Sequence, residues 1–393
     1  MEIRNSRALK KHNQFTILNQ IIENQPISRA ELTKKLNVSH ATVSYLVKDL
    51  IKQGLVVETE YSESTGGRPP VLLEFKGNNK YIVSIELEET TISYGVFNLN
   101  LDLIYNDAFS VDGKDVIDLI YSRIQETLSE HQLSLNSVIG IGISIHGIYK
   151  VDQDLIIDST TKFWEGINIK NELVKRFKLP VYIENDANLA VYYEWCYGIG
   201  QNYSNLIYIH LGDGIGSGII INNSLYRGSH GNAGELGHIK VKASGPRCDC
   251  GGVGCLEAIS SIEAIKSEIL KRLERGEKSL LTGIASPPYT ITRIMKAYNN
   301  HDYLVRSVID EAIRYLVSAL SSLVNIFDPD LIILGGLFSD FEQEVIENIK
   351  KELKETCYAN LVDELRIYQS SRKECLQLIA AAAYVFDKWK QKI

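Results

Sequence analysis

The chain has 393 residues, 45% of them hydrophobic and 23% charged, with a net charge of −7; this globular composition excludes a disordered chain and a protein that coats nucleic acid along its length. No apolar run approaches the ~20 residues that span a bilayer, and the first residues are charged rather than apolar, so a cytoplasmic chain of two or three domains with no membrane partner is expected. The charge is uneven: residues 1–75 carry a net +2 and the remainder −9, which fits nucleic-acid contact by the head alone.

Residues 8–23 show helical periodicity, with Leu9, Phe15, Ile17, Leu18, Ile21 and Ile22 on or near one face. Pro26 ends that helix, because it lacks a donor and disfavours helix in the residue before it. Ser28 and Glu31 form a capping box for a short helix over 29–36, and Asn37-Val38-Ser39 is a tight turn. Ser39 caps a third helix over 40–53, whose core stripe is Val43, Leu46, Val47 and Leu50 and whose stop is Gly54. This is helix-turn-helix spacing. The third helix exposes Ser39, His40, Thr42, Ser44, Tyr45 and Lys48, groups that reach base edges and phosphates from a major groove. Residues 55–59 and 71–75 pair as a hairpin around the flexible stretch 62–70. That stretch reads as a wing whose Arg68 enters a minor groove or rests on phosphate. A small helical protein-interaction domain with a surface loop is the competing reading.

From Lys80 the pattern becomes α/β. Residues 81–87 and 91–98 are paired strands, 116–131 an amphipathic helix, 138–145 and 181–184 strands, and 187–197 a helix. Residues 206–211 and 218–221 repeat the opening hairpin, 331–334 form a late buried strand, and 375–390 a terminal helix. The recurrence of a hairpin at the head of each half suggests two similar lobes. Cys248, Cys250 and Cys255 crowd into eight residues, which is metal-ligand spacing; Cys196, Cys357 and Cys375 are scattered and read as small apolar residues.

Several segments together resemble the ROK family (repressors, open reading frames and kinases), and within it the xylose-repressor type. They are Gly66-Gly67-Arg68-Pro69-Pro70, Glu184-Asn185-Asp186-Ala187-Asn188, Gly212-Asp213-Gly214-Ile215-Gly216-Ser217-Gly218, Gly234-Glu235-Leu236-Gly237-His238 and the run from Cys248 to Glu257. The cysteine run is the specific one; the glycine run alone is weak. The resemblance implies a winged helix-turn-helix over 1–75 followed by an actin-like, ribonuclease H-like two-lobed sugar-kinase fold over 76–393. Lobe 1 would take about 76–190 with the terminal helix 376–393, and lobe 2 about 191–375, with a sugar cleft between them.

His238 completes a Cys3His set with Cys248, Cys250 and Cys255, the combination zinc favours in closed structural sites, and the resemblance assigns the same four ligands. An unmetallated thiol cluster is the alternative. The family's sugar site maps onto Asn185, Asp186, Glu235, His238 and Glu257, whose carboxylates and amide grip adjacent hydroxyls. Asn185 or Asp186 acting only as a helix cap stays open. In kinases of the family the aspartate matching Asp186 is the general base, which keeps an ATP-dependent sugar kinase with an appended DNA-binding head as the rival function.

The phosphate side argues against catalysis. Family kinases hold phosphate on Asp-x-Gly-Gly-Thr, where this chain has Glu86-Leu87-Glu88-Glu89-Thr90. A like-charge pair at ~4 Å costs about 4 kcal/mol at an effective dielectric of ~20, so Glu88 and Glu89 oppose a polyphosphate. Asp213, at a position usually threonine, adds a further carboxylate. Trp164 fits a core role at least as well as ligand stacking, and Thr161 stands where the family kinases often carry asparagine. The expectation is therefore a non-enzymatic repressor: a homodimer or homotetramer that a monosaccharide releases from double-stranded operator DNA. The sugar, the operator and the direction of the response are not written in these residues.

Overall fold

The computed structural model describes residues 2–59, 71–88, 90–111, 116–150, 153–157, 164, 166–282, 289–358, 361, 363–370 and 375–393, with side chains from residue 9 onward. Helix α1 (Glu2–Asn24) begins earlier than the apolar periodicity indicates. It buries Ile17, Leu18 and Ile21, whereas Leu9 is 60% exposed and does not belong to the core face expected of it. A two-residue strand absent from the sequence reading, β1 (Ile27–Ser28), precedes α2 (Arg29–Leu36). The capping box is present: the Ser28 hydroxyl accepts from the Glu31 N–H at 3.2 Å, and the Glu31 carboxylate accepts from the Ser28 N–H at 2.8 Å. Those bonds stabilise the ionised form and hold the Glu31 carboxyl below its usual range. Helix α3 (His40–Lys52) is capped by Ser39 and buries the expected stripe of Val43, Leu46, Val47 and Leu50. Strands β2 (Val56–Thr59) and β3 (Leu72–Phe75) form the hairpin, and β1 joins its other edge, giving the order β1-β3-β2. The wing with Arg68 lies outside the described residues.

Two five-stranded sheets of matching order follow. In the first, β4 (Tyr81–Leu87), β5 (Thr91–Asn98) and β6 (Leu103–Ser110) run antiparallel. Helix α4 (Val116–Glu130) then leads to β7 (Val138–Ile145), which lies parallel to β4. A small hairpin, β8 (Ile148–Lys150) with β9 (Leu155–Ile157), precedes α5 (Ile169–Phe177) and β10 (Val181–Asn185), and the sheet order is β10-β7-β4-β5-β6. Strand β7 is buried at every residue, as a central parallel strand requires. Edge strand β6 is mostly exposed and carries no clean alternation, so periodicity gave no hint of it.

The second sheet repeats the plan. Helix α6 (Asp186–Tyr197) leads to β11 (Leu206–Leu211), β12 (Ile215–Ile221) and β13 (Ser224–Leu225). Helices α7 (Glu257–Ser260), α8 (Ile262–Glu274), α9 (Ile291–Asn299) and α10 (Tyr303–Phe327) come before β14 (Leu331–Gly336). Helix α11 (Gln343–Thr356), β15 (Arg366–Gln369) and α12 (Leu376–Lys390) complete the chain. The order is β13-β12-β11-β14-β15, with β14 parallel to β11 and β15 parallel to β14. One apolar core packs on each sheet.

The chain divides into two compact units, residues 1–184 with 377–393 and residues 185–376. All of α6 belongs to the second unit. The helical head belongs to the first unit. There Phe75 packs against Phe386 of α12 at 6.0 Å between ring centroids, and Lys11 Nζ donates to the Lys392 carbonyl at 2.9 Å. Among the described residues no helix is long and apolar enough to cross a membrane.

Candidate functional site

The cysteine loop is shaped by its backbone. Bridges Lys240↔Cys255 and Arg247↔Val253 fold it back on itself. Gly254, at φ +73°, sits where a Cβ would collide with the Lys242 carbonyl oxygen, so only glycine fits. The result brings His238, Cys248, Cys250 and Cys255 together with all ligand atoms within 4.8 Å of one another. Cys248 Sγ lies 3.6 Å from His238 Nδ1, and Cys250 Sγ lies 3.7 Å from Cys255 Sγ. A tetrahedron built on Zn–S bonds of ~2.3 Å has edges of ~3.8 Å, so the donor spacing fits zinc. Without metal, burial pushes the Cys248 thiol up to about 12, whereas the Gly252 N–H holds Cys250 below the usual thiol range.

The five residues expected to bind sugar all lie in the second unit. Asn185 is the N-cap of α6: its side-chain oxygen accepts from the Ala187 and Asn188 N–H groups at 3.0 and 3.1 Å. The capping alternative is thus realised for Asn185. Asp186, the first residue of α6, is only 8% exposed, a placement the helix dipole favours for a carboxylate. Glu257 opens α7. Its Oε2 accepts from the Ile215 N–H at 3.0 Å and its Oε1 lies 3.9 Å from Cys248 Sγ, so one carboxylate ties the β11–β12 hairpin to the cysteine loop. His238 Nε2 lies 3.9 Å from Glu235 Oε2. With Nδ1 turned to the thiolates, the ring can serve a metal and a polar ligand at once. Glu235 also borders an open pocket lined by Ser217, Tyr226, His230, Asn232 and Phe327; Ser217 falls in the glycine run, and nothing in the motif spacing marked the other four.

The glycine run reads differently in three dimensions. A Cβ on Gly218 would collide with the Ala187 carbonyl oxygen and press on Val191, so this glycine lets α6 lie directly on the hairpin. Gly218→Ala is expected to cost about 1–3 kcal/mol, the usual penalty for overpacking, read as a lower denaturation midpoint; an unchanged midpoint would remove this account of the close approach.

Of the three carboxylates expected to oppose a phosphate chain, Glu88 is exposed in the first unit and Asp213 is exposed in the second, 4.0 Å from Lys266 Nζ. Glu89 and Thr161 lie outside the described residues. Trp164 takes the core role: it is 1% exposed and its indole N–H donates to the Glu88 carbonyl at 2.8 Å.

On the head, His40, Tyr45 and Lys48 are exposed, and Thr42 and Ser44 half-buried. Ser39 is exposed, with its hydroxyl engaged as the cap of α3. Tyr45 is 60% exposed and accepts from Lys10 Nζ at 3.2 Å, with the ammonium 4.9 Å from the ring centroid. Lys10 also lies 3.5 Å from Asp49. It joins the candidate nucleic-acid face, and the sequence could not place it there because it stands on α1, far from α3 in the chain.

The model of the ROK family matches residues 82–387, and that of the MarR family residues 11–68. The chain is 31% identical to a xylose repressor of Caldicellulosiruptor bescii over 98% of its own length and 97% of that protein's. A crystal structure of a ROK family transcriptional regulator, a homolog of the E. coli MLC protein, superposes with a TM-score of 0.86 at 26% identity, covering 98% of this chain and 97% of that one. A ROK family glucokinase from Streptomyces griseus, solved with glucose and AMPPNP, gives a TM-score of 0.66 at 26% identity, covering 77% of this chain and 98% of the kinase.

Proposed function

The chain belongs to the ROK family, and from that premise we propose that it is a transcriptional repressor which a monosaccharide releases from operator DNA. One observation carries the reading: the chain aligns along nearly its whole length with a xylose repressor and a ROK regulator, but over only 77% of itself with a glucokinase of the same family. The head is the part a DNA reader needs, and α3 presents polar, aromatic and basic groups in the manner of a recognition helix. A homodimer would set two such helices about one helical turn (~34 Å) apart on a pseudo-palindromic operator in the cytoplasm. Arg68 would add a minor-groove or phosphate contact from the wing.

Sugar recognition is assigned to Asp186, Asn185, Glu235, His238 and Glu257, with zinc held by His238, Cys248, Cys250 and Cys255. Bound there, zinc supplies structural bracing, since four protein ligands leave it no open position for chemistry. The residues of this chain do the rest: the Asp186 carboxylate and the Asn185 amide accept from and donate to neighbouring hydroxyls, and Glu257 holds the hairpin to the loop. The chain passes from the first unit to the second at Glu184–Asn185, directly before the residues assigned to sugar. Coupling between a sugar site and an operator site is typically about 1–3 kcal/mol.

Two measurements test the reading in parts. Tyr45→Ala is expected to weaken operator binding by about 1–3 kcal/mol in a mobility-shift titration at fixed salt, with sugar binding unchanged; equal operator affinity would take Tyr45 out of the interface. A coupled ADP-release assay over a panel of hexoses and pentoses is expected to show no turnover, because Glu88, Glu89 and Asp213 oppose a nucleotide's phosphates. Sustained ADP release would favour the sugar-kinase reading instead.

A further inference from the structure

A second group of metal-competent side chains lies in the first unit and contains no sulfur. Strands β4 and β7 run parallel, with Glu86 beside Ser144 and Leu87 beside Ile145. Residues two apart along a strand share a face, so the strand ends carry Glu86, Glu88, Ser144 and His146 on one patch. Glu86, Glu88 and His146 each offer a ligand atom, and the three atoms lie within 4.8 Å of one another. His146 Nε2 is 3.5 Å from Glu86 Oε1, and the Glu86 side chain is only 13% exposed.

One further observation points to a ligand. The Ser144 hydroxyl is fully buried beside Glu86 and has no hydrogen-bond partner among the described residues. Such orphans are rare, and a water held on a bound ion would satisfy it. The backbone of Glu88 is also fixed at both polar groups: its N–H donates to the Thr91 carbonyl at 3.0 Å and its carbonyl accepts from Trp164.

We propose that Glu86, Glu88 and His146 form a binding site for a divalent first-row cation. Oxygen and imidazole donors without thiolate suit such ions. Three protein ligands leave positions for water, including one beside Ser144, and two carboxylates match the ion's charge. The site is independent of the sugar reading and belongs to a different unit from the cysteine loop.

The test is a Mn2+ titration of the zinc-loaded full chain, without nucleotide, followed by loss of the free-ion electron paramagnetic resonance signal. Mn2+ is the probe because soft thiolates do not select it. One saturable Mn2+ per chain is expected, bound at least tenfold more weakly by His146→Ala and by Glu88→Gln and unchanged in Glu172→Gln, a carboxylate on α5. Glu88 is exposed, so Glu88→Gln keeps the test decisive should His146→Ala disturb the strand ends. No saturable uptake by the unmodified chain, or equal uptake by Glu88→Gln, would overturn the proposal.

Discussion

Asp186→Ala is expected to leave operator affinity intact and to lower sugar affinity by about two orders of magnitude, so that the protein stays on DNA when sugar is added. The carboxylate is 8% exposed at the start of α6, where few waters compete for it and the helix dipole favours a negative charge. A hydrogen bond to a charged group contributes about 1.5–3 kcal/mol. Losing two, one for each of two adjacent hydroxyls, amounts to ~3 kcal/mol or more, and each ~1.4 kcal/mol is a decade of affinity. The structural cost is smaller, about 0.3–1 kcal/mol for the lost dipole interaction, so the variant folds. Calorimetric sugar titration beside a mobility-shift assay separates the two effects. A variant released by the same sugar concentration as the parent would take Asp186 out of the site.

Removing the metal is expected to have the second largest effect. Binding of structural zinc is worth on the order of 10–16 kcal/mol in zinc-finger peptides, and here it would act on the loop that presents His238 and Glu257 to the hairpin. Cys248→Ser should reduce zinc content, lower the melting temperature and abolish the sugar-induced thermal shift. The head has its own core of Ile17, Leu18, Leu32, Leu46 and Leu50, so operator binding should survive below the melting temperature. Glu257 is the physical link: it bonds the Ile215 N–H and lies beside Cys248. A metal-free chain with an undiminished sugar response would show that the loop holds its shape without zinc.

The parts legible in sequence are those whose signals are local. Ser28 with Glu31 and Ser39 with Thr42 act within four residues, and α2 and α3 start where those caps place them. The cysteine set is also local, because three of its ligands fall within eight residues. Strand β1 was not legible, since two residues carry no period and its pairing depends on β3, far along the chain. Helix α10 is another matter. Leu304, Val308, Ile309, Leu316, Leu320 and Leu323 recur at helical spacing, and Asp302 caps the first turn, so this element carries a plain amphipathic signal. Within the site, residue types were readable but the division of labour was not. Asn185 commits its oxygen to α6, and His238 turns one nitrogen to sulfur and the other towards Glu235. Glu86, Glu88 and His146 meet only through the parallel register of β4 and β7, which no spacing along the chain reveals.

The most direct test of the whole account is fluorescence anisotropy of labelled operator DNA bound to the full chain, titrated at fixed salt with free monosaccharides, xylose first. At least one sugar should lower the anisotropy to that of free DNA, and Asp186→Ala should remain bound at the same concentration. Operator binding unmoved by every sugar in the panel would contradict it.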